Sequence, residues 1–311
     1  MQPLLDAIAR MPWPTEAQRL FHGRGGLHPG CEQWALDAFP PVLLLTSFGP
    51  TTDEQLATID AALAQRWQQL AHHPDSPQAL SWVYQCRDAG RTHTQLMRGA
   101  VPEPHAVLEA GTPYRVHLLK GQNHGLFLDM AEGRRWVREH AAAHPGLKVL
   151  NLFAYTCAFS VVALQAGAGS VLNMDMSAGA LAIGQHNHRL NGIAQGASFA
   201  AHDIFNSWGK INRGGPFDLI IADPPSYQKG SFVAAKDYPR LLRRLPDLLK
   251  PGGHALLCLN APELGPGFLL DALQAEAPDL RFMGRLDNPP AFADVAADRA
   301  LKVLVVRAPD H

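Results

Sequence analysis

Cysteine is scarce in this 311-residue chain: Cys31, Cys86, Cys157 and Cys258 are scattered and never fall in a C-x-x-C spacing. Neither a disulfide framework nor a structural zinc site is expected from that, and free thiols are the default. Long apolar runs are absent too. No stretch approaches the roughly 20 residues that cross a bilayer, and Met1-Gln2-Pro3-Leu4-Leu5-Asp6 lacks the basic start and apolar core of a secretory signal. A cytoplasmic protein away from the membrane is expected. Charge of one sign is not in excess: the net charge is -1, so a nucleic-acid partner has to be held by a local patch and not by bulk attraction. Histidine is plentiful, but there is no H-E-x-x-H pair, and no metal is expected.

What is present is enough apolar residue, 47%, for two cores. From Pro12 to about Pro50 the chain is rich in Gly, Pro and His, including Phe21-His22-Gly23-Arg24-Gly25-Gly26-Leu27-His28-Pro29-Gly30, and then offers a strand at Val42 to Thr46. Leu56, Ile59, Leu63 and Trp67 recur at helical spacing behind Thr52-Asp53-Glu54, giving a helix to about His72. Strands are expected at Ser81 to Cys86, Tyr114 to Leu119 and Leu126 to Asp129, and a helix over Ala131 to Ala143. Residues 1–110 thus read as a small α/β domain of strand-helix-strand type, in the place of a substrate or accessory module.

From Val149 a regular alternation begins. Strands at Val149 to Phe153, Val171 to Asp175, Ser198 to Ala201, Phe217 to Ala222 and Ala255 to Leu259 are separated by helices from Phe159, Ser177 to about Leu190, a short one after Asp203, and Val233 to Leu249. A helix over Phe268 to Ala275 follows. Strands spaced by helices imply a doubly wound parallel sheet covered on both faces, here over 111–311. Leu280 to Leu286 and Leu301 to Val306, joined by a Pro/Ala/Asp-rich loop, are expected as an antiparallel hairpin at one edge.

In such sheets a ligand lies beyond the carboxyl ends of the strands, where their order reverses. The first strand-to-helix turn is Asn151-Leu152-Phe153-Ala154-Tyr155-Thr156-Cys157-Ala158, which is not G-x-G-x-x-G. A pyrophosphate needs glycines and free amides at this turn, so a nicotinamide dehydrogenase is disfavoured and a cofactor without a pyrophosphate fits better. Asp175 ends the second strand, where an acid accepts from a ribose diol or caps the next helix. Asp203 after the third strand has the same two uses, toward adenine or as a cap. The sharpest signal is Asp223-Pro224-Pro225-Ser226-Tyr227 directly after Leu219-Ile220-Ile221-Ala222. Two prolines lock the backbone and remove two donors, leaving the Asp223 carboxylate and nearby carbonyls as acceptors, and Tyr227 is placed to stack on a flat substrate.

Together with Gly121-Gln122-Asn123-His124-Gly125-Leu126-Phe127-Leu128-Asp129, Arg19-Leu20-Phe21-His22-Gly23 and Leu27-His28-Pro29-Gly30, these segments resemble the large-subunit ribosomal RNA methyltransferases of the I and K types. The resemblance covers the chain from about residue 16. It implies a Rossmann-like, mostly parallel seven-stranded sheet and S-adenosylmethionine as methyl donor. It places Phe127 and Asp129 near the methionine part and Asn151, Phe153, Tyr155, Thr156, Cys157 and Ala158 in the cradle. Asp175, with Met176 and Ser177, falls on the ribose, and Asp203 and Ile204 fall near adenine. Asp223, Pro224, Pro225 and Tyr227 would hold a base nitrogen of ribosomal RNA, flipped from its stack, in line with the donor methyl.

The chain departs from that pattern in Cys157-Ala158, where two glycines are usual, and in Ala131, where an arginine is frequent although Arg134 is kept; the RNA-binding module that precedes the I-type catalytic domain is not expected here. In the fifth strand the I-type cysteine falls opposite Asn260, as in the K type, which favours nitrogen methylation. Cys258, two residues earlier, leaves open a C5-cytosine methyltransferase with a thiolate nucleophile, beside its reading as a packed core thiol. A protein that binds the cofactor without catalysis is the alternative of another class. Lys229, Lys236, Arg240, Arg243 and Arg244 form either a nucleic-acid surface or a solvated helix face.

Overall fold

The computed structural model describes residues 1–71, 79–225 and 232–311, with the backbone of Tyr227 and Gln228 between them. The chain divides into two compact units, Met1–Leu128 with Pro290–Val295, and Asp129–Pro289 with Ala296–His311.

In the first unit, helix α1 (Gln2–Arg10) precedes strands β1 (Gln18–His22), β2 (Trp34–Phe39) and β3 (Val42–Ser47). Helix α2 (Asp53–Leu70) then crosses to β4 (Ser81–Asp88), which turns into β5 (Arg91–Arg98), and β6 (His105–Glu109) pairs with β7 (Thr112–Val116) as a separate hairpin. The five-stranded sheet runs β1-β2-β3-β4-β5, with β3 and β4 parallel and the other neighbours antiparallel. Thr52 caps α2 through a reciprocal pair of hydrogen bonds with Gln55. Leu56, Ile59, Leu63 and Trp67 form the buried face of α2 and pack with Leu4, Ile8, Leu36 and Leu45. The strand-helix-strand expectation was therefore too small. Arg91–Arg98 is exposed on both faces and shows no apolar alternation, and Trp34–Phe39 is buried on both, so neither advertises itself with a period of two.

The second unit opens with helix α3 (Ala131–Ala143) and continues β8 (Lys148–Leu152), α4 (Ala158–Gln165), β9 (Ser170–Asp175), α5 (Ala178–Leu190), β10 (Ala197–Ala201), α6 (Trp208–Gly214) and β11 (Phe217–Ala222). The two-residue strands β12 (Tyr227–Gln228) and β13 (Phe232–Val233) pair before α7 (Ala234–Leu242) and α8 (Leu245–Leu248). Strand β14 (Leu249–Leu259), helix α9 (Pro266–Glu276) and strands β15 (Arg281–Arg285) and β16 (Lys302–Arg307) complete it. The sheet order is β10-β9-β8-β11-β14-β16-β15, parallel except at β16, which runs against both neighbours. The doubly wound, mostly parallel seven-stranded sheet and its edge hairpin are thus present.

Two expectations, one at the boundary of the units and one in the second, fail for local reasons. Leu126 to Asp129 forms no strand; Leu128–Met130 is a 3-10 turn leading into α3. Leu126 and Leu128 are buried and Phe127 exposed, so the turn imitates the alternation of a strand. The single helix from Val233 to Leu249 is two, because Pro246 near the start of α8 offers no N–H to the Leu242 carbonyl, where α7 ends.

Candidate active site

The order of the sheet reverses between β8 and β11, and the register puts their ends side by side: Ala222 pairs with Leu152 on one flank and with Leu257 on the other. Phe153 and Asp223 therefore leave the sheet level with Cys258 of β14, at the switch point where ligands bind in open α/β sheets. Strand β11 reaches this point because Leu219, Ile220, Ile221 and Ala222 are fully buried between the helical layers. Pro224 is buried behind Asp223, which is half-buried. The diproline thus turns the chain at the crevice floor with no amide of its own to satisfy.

The electrostatics of this floor centre on Asp223. Burial and the neighbouring Asp129 carboxylate push its carboxyl up to about 7, while the Arg134 guanidinium pulls it down. Arg134 is itself only 3% exposed. Burial also raises the Tyr238 hydroxyl, whose proton is donated to the Cys258 carbonyl oxygen. Cys258 is fully buried, and burial, Asp223 and Asp129 together hold its thiol well above the usual range. Asn260, just past the end of β14, is exposed. The Tyr227 side chain and Lys229 lie outside the described residues.

The first loop takes an unusual path. Phe153, Tyr155 and Cys157 all have positive φ, at 56°, 47° and 61°, without a glycine among them. Its amides are largely spent on the protein. Ala154 N donates to Met174 O (3.0 Å), Cys157 N to Ala154 O (2.7 Å) and Tyr155 N to Asp175 Oδ2 (2.9 Å). The other Asp175 oxygen accepts Ser177 N at 2.8 Å, and Ser177 in turn caps α5 through Ala180 N. This is a poor cradle for a pyrophosphate, which needs a row of available donors. It suits an adenosyl sulfonium, since each Asp175 oxygen keeps a lone pair for a ribose hydroxyl, and Met176 beside it is 51% exposed.

Behind the loop runs a buried chain of hydrogen bonds whose direction is fixed. His188 Nδ1 faces the Gly184 carbonyl, which only accepts, so Nδ1 carries the proton and Nε2 accepts from Ser160 Oγ. Asn173 Nδ2 donates to Ser160 Oγ, and Asn151 Nδ2 donates to Asn173 Oδ1. Asn151, Thr156 and Cys157 are buried, whereas Phe153, Tyr155 and Ala158 are half-buried. Asp203 caps the turn after β10 by accepting Phe205 N (2.9 Å), and Ile204 is buried beneath it. Next to it is a cavity of about 320 Å³ between Asp203, Phe205 and Asn206 on one side and Phe232, Lys236 and Arg240 on the other.

Phe127 falls in the first compact unit and is 41% exposed. The basic residues on and after α7 are largely engaged: Arg240 pairs with Asp237 and lies over Phe205, Arg243 pairs with Glu276, and Arg244 lies over Trp208 near Asp247. Sequence reasoning gave no site role to Arg134 or Tyr238. A signal for Arg134 existed, because an arginine in register with Val137 and Ala141 on the apolar stripe of α3 is out of place unless a charge awaits it. Among the described residues no helix is long and apolar enough to cross a membrane, and no group of His, Cys, Asp and Glu is arranged to hold a metal.

Comparison with known proteins agrees with this geometry. The sequence is 30% identical over 232 residues to ribosomal RNA large subunit methyltransferase I of Aeromonas salmonicida, covering 70% of this chain and 58% of that protein. It is 36% identical over 174 residues to methyltransferase K/L of Psychrobacter sp., covering 53% of this chain and 21% of the relative. The chain thus spans less than two thirds of the length of these relatives. A Streptococcus mutans structure named as a SAM-dependent methyltransferase superposes with a TM-score of 0.79 at 23% identity, over 99% of this chain and 78% of its own. The pattern of the S-adenosylmethionine-dependent methyltransferase family matches residues 18–307, which takes in nearly all of both units, and the chain belongs to that family.

Proposed function

We propose that the protein transfers a methyl group from S-adenosylmethionine to a nitrogen of a base in ribosomal RNA. The observation that carries the reading is Asp223, held at the switch point beside Asp129 and Arg134 with its carboxyl raised to about 7. Asp175 would hold the ribose, Asp203 and Ile204 would border the adenine, and the loop from Phe153 to Ala158 with Asn151 behind it would shape the cradle. Phe127 and Asp129 would flank the methionine part. The bound cofactor supplies an electrophilic methyl on a sulfonium. A base nitrogen that bears hydrogen must shed a proton when it gains that methyl. A carboxylate poised near neutrality accepts it, while the Pro224-Pro225 backbone would fix the plane of the base.

A thiolate mechanism at pyrimidine carbon 5 is less well served. Cys258 is fully buried and two neighbouring carboxyls oppose its ionisation. The names of the relatives support ribosomal RNA as the substrate class. The test is transfer of tritiated methyl from the donor to purified ribosomal RNA, total protein and small-molecule extract in parallel, followed by nucleoside analysis. Label in a nitrogen-methylated nucleoside is expected; label in protein or in 5-methylcytosine alone would overturn the reading.

A further inference from the structure

Strand β16 carries a lysine where its neighbours are apolar. Lys302, Leu304 and Val306 lie two apart and so share one face of the strand. Leu304 and Val306 pack there in one core with Leu269 and Leu273 of α9. Lys302 is fully buried as well. A methionine would fill much the same volume without taking a charge out of water, so packing alone does not account for the residue.

Its ammonium is spent on the main chain. Nζ donates to Ala261 O (2.8 Å), Leu264 O (2.7 Å) and Asp298 O (3.0 Å), which uses all three of its protons. Burial and the Arg285 guanidinium lower its pKa, and Glu263 and Asp298 oppose that shift. Asp298 lies in a segment that is itself fastened. Arg285 of β15 donates to Ala297 O (2.8 Å) and Leu301 O (3.3 Å) and pairs with Asp298 at 3.7 Å.

The other two carbonyls belong to the loop between β14 and α9. Leu259, the last residue of β14, lies opposite Lys302, so the lysine side chain reaches just past the end of that strand. Leu264 N donates to Ala261 O at 3.1 Å and closes a turn there. Pro262, Glu263 and Gly265 are exposed, so the turn has little apolar surface to hold it, and the lysine grips both of its ends. Asn260 sits between strand and turn. The charges of Asp223 and Asp129 act on Cys258, which sets that side chain toward the two acids, and Asn260 follows two residues later on the same side as the chain leaves the strand.

We propose that Lys302 is a positioning residue for the substrate: by gathering the carbonyls of Ala261, Leu264 and Asp298 on one ammonium it fixes the turn behind Asn260, and so holds the Asn260 amide where it meets the edge of the incoming base. An asparagine amide both donates and accepts, as the edge of a base does. The nature of the substrate rests on the methyl-transfer function proposed above; the clamp rests on the three hydrogen bonds. Lys302 is buried away from donor and base alike, so its loss is felt in substrate binding and not in cofactor binding.

The test uses the full chain with purified ribosomal RNA and tritiated donor, well below the melting temperature of each variant. Lys302→Met is expected to raise KM for RNA about tenfold, with kcat within about threefold of wild type and calorimetric S-adenosylmethionine affinity unchanged. Asn260→Ala should raise KM by a similar factor, and adding Lys302→Met to it should change little, because the two act as one. Hydrogen exchange in the peptide spanning 260–265 should quicken in Lys302→Met, while exchange across 153–158 stays as in wild type. If Lys302→Met does not fold, Lys302→Gln, which keeps two donors, enters the same cycle with a smaller rise in KM. A folded variant with a lower Tm and unchanged KM, or separate factors that multiply to about a hundredfold in the double variant, would overturn the positioning role while leaving the methyl-transfer reading intact. Wild-type protein that methylates no RNA would sink that reading, and this role of Lys302 with it.

Discussion

The two units place charge in opposite ways at the margins of their sheets. In the second, two carboxyls, Asp129 and Asp223, stand around one buried arginine, Arg134. In the first, Arg19 holds the buried Asp37 through both of its oxygens and so ties β1 to β2. Two neighbouring carboxyls raise one of the pair until it can trade protons near neutral pH; a carboxylate matched by a guanidinium fork instead fixes two strands to each other. One margin is thus suited to proton exchange and the other to holding its strands in register.

The contrast is broken most severely at Asp223. Asp223→Asn should lower turnover by about 100-fold or more, with cofactor affinity kept, as for loss of a general base. In the wild type the carboxyl must be ionised to accept a proton. With a value of about 7, kcat/KM should therefore rise about tenfold per pH unit below that point and level above it. A flat profile through neutrality would remove Asp223 from the proton's path. Next in size is Asp175→Ala, expected to weaken calorimetric S-adenosylmethionine binding by about thirtyfold, since the carboxylate also orders Tyr155 N and Ser177 N.

A smaller effect concerns stability. A carboxyl raised in the folded state binds its proton there more tightly than in the unfolded chain. Stability is therefore greatest below the unfolded value and declines as pH rises toward about 7. Asp223→Asn removes that decline, so its Tm should exceed wild type by a few degrees at alkaline pH and match it in acid. A Tm difference independent of pH would mean that packing, not ionisation, is responsible. The smallest expected change is in Cys258→Ala, whose methyl-transfer rate should stay within about threefold of wild type if the thiol only packs; its abolition would revive the thiolate route.

Much of the second unit could be read in advance because its central strands are mostly buried and three strands lead into an acid. Phe217 to Ala222 was placed with its observed limits, and Asp175, Asp203 and Asp223 could be named as strand-end acids. Their partners could not, because the value at Asp223 depends on Asp129 and Arg134, which come from a segment some ninety residues earlier and reach it only through the fold. The first unit resisted for another reason. Its charged pair, Arg19 and Asp37, is brought together by strand register, and no spacing in the chain encodes that. The glycines around Arg24 read as ordinary turn residues until their neighbours, Cys31 and Ala293, were in place.

Cys157 stands with positive φ, and the helix opposite leaves room for its side chain. A Cβ at Gly184 would strike the Cys157 sulfur. The sulfur fills the room that Gly184 leaves on α5, so the two positions are packed as a pair. A glycine at 157 would relax the backbone yet open a hollow against the helix, and an alanine at 184 would press on the Cys157 sulfur and displace the loop. The shape of the cradle is therefore stored partly in a residue that no donor would ever touch.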